Sequence, residues 1–324
     1  MHILSHLRKV FSDYLEANQF NKAPEELYEP NNYFLSMGGK RMRPVLVLLA
    51  THLYKGKLED ALPAALAIEY FHNFSLIHDD MMDAAPLRRG QVTVHEKYGM
   101  NTAILSGDAL LVYAYKYLSM VPAHLLSEVL QIFNETAIEV CEGQQLDMNF
   151  EKRDRVSEAE YLWMIRQKTS VVLAAGLKIG ALIAGAGKED AEALYQYALN
   201  LGIAFQIQDD ILDCYGNAEL VGKQPGGDII QNKKTLLLIK AIEKGIQNND
   251  NRLQQLIQTP VTDKQEKVSA VISLYEEWNI RTEVEMKRNA LIDEALSHLE
   301  TTTLPEEQKA VLRNLVDYLV VREF

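Results

Sequence analysis

The chain of 324 residues holds only two cysteines, Cys141 and Cys214, and both lie inside apolar, helix-like runs. That excludes a disulfide framework and fits a reduced, cytoplasmic setting. Basic residues are also short: 33 Lys and Arg stand against 45 Asp and Glu, for a formal net charge of −12. With no long basic run, nucleic acid is excluded as the main partner. An anionic substrate would have to be met by a local basic cluster against the global field. Sustained strand alternation is missing too. No apolar run is long enough to span a membrane: Val171 to Gly187 contains Lys178 and falls short of the roughly 20 residues needed. Its Gly and Ala content suits close packing, so a buried central helix is expected there. The segment from Met1 to Gln19 places Leu4, Leu7, Phe11 and Leu15 at amphipathic helix spacing and has no signal-peptide core. No Ser/Gly-rich linker divides the chain.

Helical periodicity fills nearly everything else. It predicts helices over 3–17, 24–36, 44–54, 60–83, 101–119, 123–148, 157–185, 189–214, 232–246, 263–298 and 306–322. Breakers fall between them at Gly38-Gly39, Pro86, Pro122, Gly216, Pro225-Gly226-Gly227, Pro260 and Pro305. The pattern predicts a single all-α domain over residues 1–324, with helices that are apolar all round at its centre.

Two aspartate clusters of one form interrupt this pattern: Asp79-Asp80-Met81-Met82-Asp83 and Asp209-Asp210-Ile211-Leu212-Asp213. Each ends an apolar helical run. Residues i and i+4 share a helix face, so Asp79 pairs with Asp83 and Asp209 with Asp213. Three carboxylates in five residues repel one another, and Mg²⁺, which bridges carboxylates to substrate phosphates, is the natural counter-charge. One such cluster could be a solvated acidic helix end. Two of identical form point to a facing pair of metal platforms.

Basic and polar groups recur beside the clusters. His72 lies two turns before Asp79 on the same stripe, and Arg88-Arg89-Gly90 follows Asp83. Arginine pairs are usually surface charge, but the guanidinium fork also suits phosphate oxygens. Upstream, Gly38-Gly39-Lys40-Arg41-Met42-Arg43-Pro44 opens a helix, where glycine backbone and free N–H groups suit an anion. Gln167-Lys168-Thr169 sits in an apolar helix, where a lysine is costly to bury without an anion. Gln206 precedes the second cluster on its face, and Gly222-Lys223 and Asp228 to Thr235 follow it.

With these residues in this order, the chain resembles the trans-polyprenyl diphosphate synthases from about Gly38 to Thr235. The resemblance implies an isoprenoid-synthase-type helical bundle around a central apolar cavity, three Mg²⁺ ions and a homodimer. It implies head-to-tail condensation of isopentenyl diphosphate with an allylic diphosphate (dimethylallyl, geranyl or farnesyl). Lys40, Arg43, His72 and Arg89 would hold isopentenyl diphosphate without metal. Asp79 and Asp83 would bind two Mg²⁺ and Asp209 a third, with Asp210 and Asp213 in support and Asp80 and Asp228 one step removed. Arg88, Lys168, Lys223 and Lys233 would contact the allylic diphosphate, with Thr169 and Gln206 near its C1.

Product length is expected from the residues before the first cluster. In the family, bulky aromatics at the fourth and fifth positions before the motif cap short products. Here the fifth is Phe74 and the fourth is Ser75, with Phe71 a turn deeper. That combination implies a ceiling near C20, with C15 close behind. Two rival readings carry less. A terpene cyclase has no use for a second diphosphate site, and a non-catalytic regulatory subunit of a heteromeric synthase would be expected to lose aspartates that this chain keeps.

Overall fold

A computed structural model of the chain describes residues 2–216, 226–258 and 263–320. Among them, regular structure is helical apart from one two-stranded hairpin. The helices form two compact units, residues 1–135 with 175–195 and residues 136–174 with 196–324.

The first unit contains α1 (His2–Ala17), α2 (Glu25–Ser36), α3 (Met42–Leu53), α4 (Leu58–Met82), strands β1 (Leu87–Arg88) and β2 (Gln91–Val92), α5 (Val94–Tyr98), α6 (Met100–Leu118) and the start of α7 (Leu126–Glu151). Helix α3 is apolar all round and therefore central: Val45, Val47, Leu48, Leu49 and Ala50 are fully buried. Burying one such Val or Leu side chain contributes about 1.5–3 kcal/mol. Against α3 lies the small-residue stripe of α9 (Val171–Ile183). A Cβ at Gly180 would fall 2.1 Å from the Val47 carbonyl oxygen, and Thr51 Oγ1 donates to the Gly180 carbonyl at 3.0 Å. The Gly/Ala run is therefore a buried helix, as its composition predicts.

The second unit takes in the rest of α7, α8 (Glu158–Ile165), most of α10 (Lys188–Tyr215), and helices Gly227–Ile230, Leu236–Gln247, Arg252–Gln258, Lys264–Glu277, Ile280–Glu300 and Glu306–Leu319. Two predicted helices are broken here. The one expected over 157–185 contains a π-turn at Arg166–Ser170, where the Val171 N–H reaches back to the Arg166 carbonyl. The one expected over 263–298 stops at Trp278, because Asn279 adopts φ 55° and restarts the chain as a new helix. Asparagine tolerates that left-handed conformation better than most residues.

No helix among the described residues is long and apolar enough to cross a membrane. Cys141 and Cys214 are both free thiols, the first exposed and the second buried.

Candidate active site

In the first unit the predicted basic residues meet. Gly38 and Gly39 take φ 75° and 125°, and Arg41, the residue preceding α3, takes φ 50°. Helix α3 opens at Met42 rather than at Pro44, which sits in its first turn where a missing N–H costs nothing. Arg43 Nη1 lies 2.9 Å from His72 Nε2. A guanidinium can only donate, so Nε2 is the acceptor and the imidazole is neutral, with its proton on Nδ1. Burial, and then the charges of Arg43, Arg89, Arg88 and Arg41, hold His72 well below the usual histidine range. Arg89 donates to the Gly38 carbonyl, and a Cβ at Gly39 would fall 2.8 Å from the Arg89 guanidinium. The guanidinium end could shift, so it is the φ of 125° that calls for glycine at this position. Lys40 is the next residue of that loop and is exposed.

Three residues outside the predicted set, Arg41, Glu69 and Asn73, hold this loop. The Arg41 guanidinium donates to Glu69 and to the Leu35 carbonyl, and Asn73 Nδ2 donates to Glu69 Oε1 at 2.9 Å. The Arg41 and Glu69 side chains are 9% and 3% exposed, so the pair is buried. Nothing in the sequence links residues so far apart. The only signal is a glutamate at the apolar centre of α4, where a carboxylate needs a partner.

The first aspartate cluster closes α4. Asp83 is the C-cap; Ala84 follows at φ 47°, with Ala84 N–H on the Met81 carbonyl and Ala85 N–H on the Asp80 carbonyl. This is a Schellman turn, which usually uses glycine. The hairpin pairs Arg88 with Gln91, and Arg89 and Gly90 take φ 52° and 75°. A two-residue turn of that hand matches the twist of its strands. Arg88 Nε donates to both oxygens of buried Asp80 at 2.7 and 2.8 Å, and its Nη2 to Asp79 at 3.4 Å. Burial pushes Asp80 up against the pull of Arg88. Asp80 therefore positions Arg88. Ser75 turns its hydroxyl to the His72 carbonyl, Phe74 is half-buried and Phe71 is buried.

In the second unit, five predicted residues line one cleft of about 70 Å³: Lys168, Thr169, Gln206, Asp210 and Lys233. Asp147, Tyr161 and Lys234, which the sequence did not single out, line it too. Lys168 and Thr169 lie on the π-turn, and two glycines let it be clamped. A Cβ at Gly143 of α7 would fall 2.4 Å from the Lys168 nitrogen, and one at Gly202 of α10 would fall 2.8 Å from Ser170 Cβ. The anion expected for Lys168 is Asp147, at 2.7 Å. Asp210 is buried and accepts from Tyr161 and, at 3.1 Å, from Gln206 Nε2. Gln206 thus serves the middle aspartate of the cluster. Burial raises Asp210, opposed by Lys233; Lys233, pulled down by burial, is raised overall by Asp228 and Asp210. Asp213 accepts the Asp228 N–H at 2.9 Å and so ties down helix Gly227–Ile230. Asp209 is half-buried, and Lys223 lies outside the described residues.

The carboxylates were expected to bind metal. Among the described residues, no three His, Cys, Asp or Glu side chains converge as a complete cage. Asp79, half-buried near the end of α4 and touched by Arg88, and Asp83, at its exposed cap, are two carboxylate donors one turn apart. That donor set fits Mg²⁺, which keeps waters and takes substrate phosphate oxygens in preference to an all-protein site.

The polyprenyl synthetase family profile matches residues 24–275, a span that runs through both units. The chain is 41% identical to a geranylgeranyl diphosphate synthase of Methanosarcina mazei, over 93% of this chain and 91% of that one. It is 37% identical to a geranylfarnesyl diphosphate synthase of Natronomonas pharaonis, over 93% and 91%. Its fold is similar to the crystal structure of a geranylgeranyl pyrophosphate synthase from Corynebacterium glutamicum complexed with isoprenyl diphosphate and magnesium: TM-score 0.86 and 29% identity, over 99% of each chain. Helical architecture and sequence together define an all-α isoprenyl synthase. The chain belongs to the polyprenyl synthetase family, and is a trans-prenyltransferase.

The buried Arg41–Glu69 pair yields a direct prediction. Arg41→Ala strands a carboxylate in the core and lowers unfolding free energy by about 3–5 kcal/mol, whereas the Arg41→Met/Glu69→Leu double variant recovers most of that loss. Urea unfolding of the three proteins measures it. Equal losses in the single and double variants would mean that the pair's charge does not matter.

Proposed function

We propose that the protein is a Mg²⁺-dependent short-chain synthase that condenses isopentenyl diphosphate with dimethylallyl, geranyl or farnesyl diphosphate, with C20 favoured over C15. The observation that carries this reading is the basic cluster of the first unit. Arg43 and His72 are joined at 2.9 Å, and Arg89 lies under the loop that bears Lys40. A cyclase has no second diphosphate to place there. Neutral His72 would donate from Nδ1 to a diphosphate oxygen, and the arginines and Lys40 would supply the charge.

In the first unit, Asp79 and Asp83 are assigned to Mg²⁺ and Arg88 to the allylic diphosphate, with Asp80 orienting that guanidinium. In the second unit, Asp209 is assigned to Mg²⁺, with Asp210 and Asp213 in support through the Tyr161, Gln206 and Asp228 contacts. Lys168, Lys233 and, by resemblance, Lys223 are assigned to the allylic diphosphate, with Thr169 and Gln206 near C1. Three Mg²⁺ ions, when bound, would neutralise charge developing on the leaving diphosphate. The allylic C1–O bond breaks, leaving a delocalised cation. The C3–C4 double bond of isopentenyl diphosphate then attacks C1, and a proton passes from C2 of the new unit to the departed diphosphate. The fixed Lys and Arg charges favour the broken state over the ester, the preorganised electrostatic effect that dominates such reactions. Apolar walls exclude the water that would quench the cation.

The family profile crosses both units, which supports treating residues 1–324 as one functional domain. Two free thiols fit a cytoplasmic setting. Along α6, Met100, Ile104, Leu105, Val112 and Tyr115 are exposed within one sector of the helix, which supports a second copy of the chain as partner. Light scattering at the monomer mass would contradict the dimer.

Assay of the purified protein with Mg²⁺, labelled isopentenyl diphosphate and an allylic primer tests the activity. We expect elongated allylic product, and turnover lowered by several orders of magnitude in Asp79→Ala and Asp209→Ala with the apo melting temperature held or slightly raised, since a repelling carboxylate is removed. Normal turnover with a large loss of apo stability would make these aspartates structural; cyclic hydrocarbon from the primer alone would favour a cyclase.

A further inference from the structure

Helix α4 carries two adjacent stripes. Ser75 and Asp79 share one; Phe71, Phe74 and His78 share another, rotated by roughly 100° at 3.6 residues per turn. The second stripe is a chain of rings. His78 packs edge-on against Phe74 with centroids 4.7 Å apart, Phe74 meets Phe71 at 5.9 Å, and Phe71 meets Phe133 of α7 at 5.3 Å. Phe71 and Phe133 are 2% and 1% exposed, so that end of the row sits in packed core.

The other end rests on backbone. A Cβ at Gly107 of α6 would fall 2.3 Å from His78 Nε2 and 2.6 Å from Cδ2. The imidazole thus occupies the space that any other residue at 107 would fill. Its Nε2 also lies 3.3 Å from the Ile104 carbonyl oxygen and 3.9 Å from Asp108 Oδ1. Phe74 is therefore held between a ring wedged on the α6 main chain and a ring anchored in the core. An unbacked aromatic ring can leave its rotamer at modest cost when an apolar chain presses on it, whereas a ring backed on both sides must displace its neighbours as well.

We propose that product length is set by this brace and not by Phe74 alone: His78 is a positioning residue that, seated on Gly107, keeps Phe74 in place as the stop for the growing tail. The inference rests on the prenyl-elongating activity proposed above and adds a residue to its length control. Dephosphorylated products of elongation from dimethylallyl diphosphate, separated by reverse-phase chromatography, provide the readout for wild type, His78→Ala, Phe74→Ala and the double variant. Phe74→Ala shifts products beyond C20. His78→Ala shifts them in the same direction, raising the longer fraction by about fivefold to tenfold, the span of a rotamer preference. The double variant makes products no longer than Phe74→Ala does, because the brace acts only through that ring.

The readout is product distribution, so a lower total rate beside Asp79 leaves it intact; should His78→Ala fail to fold, His78→Asn tests the same loss of ring packing. A wild-type distribution from His78→Ala or His78→Asn while Phe74→Ala lengthens the product overturns the brace alone. An additive double variant also overturns it. Unchanged length in Phe74→Ala removes Phe74 as the stop and overturns the brace with it. No elongation by the wild type would instead sink the proposed activity itself.

Discussion

Carboxylates crowded at a helix end repel one another, and each must find an opposite charge, a hydrogen-bond donor or a cation. In both aspartate clusters the middle carboxylate is buried and satisfied by the protein: Asp80 by the Arg88 guanidinium, Asp210 by Tyr161 and Gln206. The flanking carboxylates are less buried, and they are the ones assigned above to Mg²⁺. A buried carboxylate with its donors already fixed is a poor first ligand but a good clamp, since it orients the groups that touch substrate. Burial thus separates the middle aspartate of each motif from the outer two, which the sequence distinguishes only by their i, i+4 spacing and by resemblance.

The second recurring constraint is close main-chain approach at glycine. Gly39 lets a loop lie on Arg89, Gly107 lets His78 sit on α6, and Gly143 and Gly202 clamp the π-turn that presents Lys168 and Thr169. In each case the missing Cβ creates a defined seat for a functional segment. Such seats cost helix stability, roughly 1 kcal/mol per helical glycine relative to alanine, and the packing they permit must offset it.

Much of this was legible in the sequence, because helical periodicity and charge spacing are local. The order of helices and the burial of the Gly/Ala run of α9 could be read from spacing, and the meeting of Arg43 with His72 was implied by the family resemblance. What could not be read depends on partners distant in sequence. The π-turn at 166–170 needs Gly143 and Gly202, and the Arg41–Glu69 pair needs the register of α3 on α4. The Arg88 hairpin, with two residues per strand, is too short to show alternation. The Asn279 break lacks the Gly or Pro that usually marks one.

The proposed function requires two anion sites of different kind, one built from side-chain charge and one that metal would complete. Isopentenyl diphosphate and a non-ionisable thio-analogue of geranyl diphosphate can each be titrated by calorimetry, with Mg²⁺ and in EDTA. We expect isopentenyl diphosphate still to bind in EDTA and to weaken with salt, since Lys40, Arg43, His72 and Arg89 are assigned to hold it without metal. The allylic analogue loses its affinity in EDTA, because carboxylates without their cations repel a trianion. Equal metal dependence of the two ligands would show that the two sites do not differ in kind.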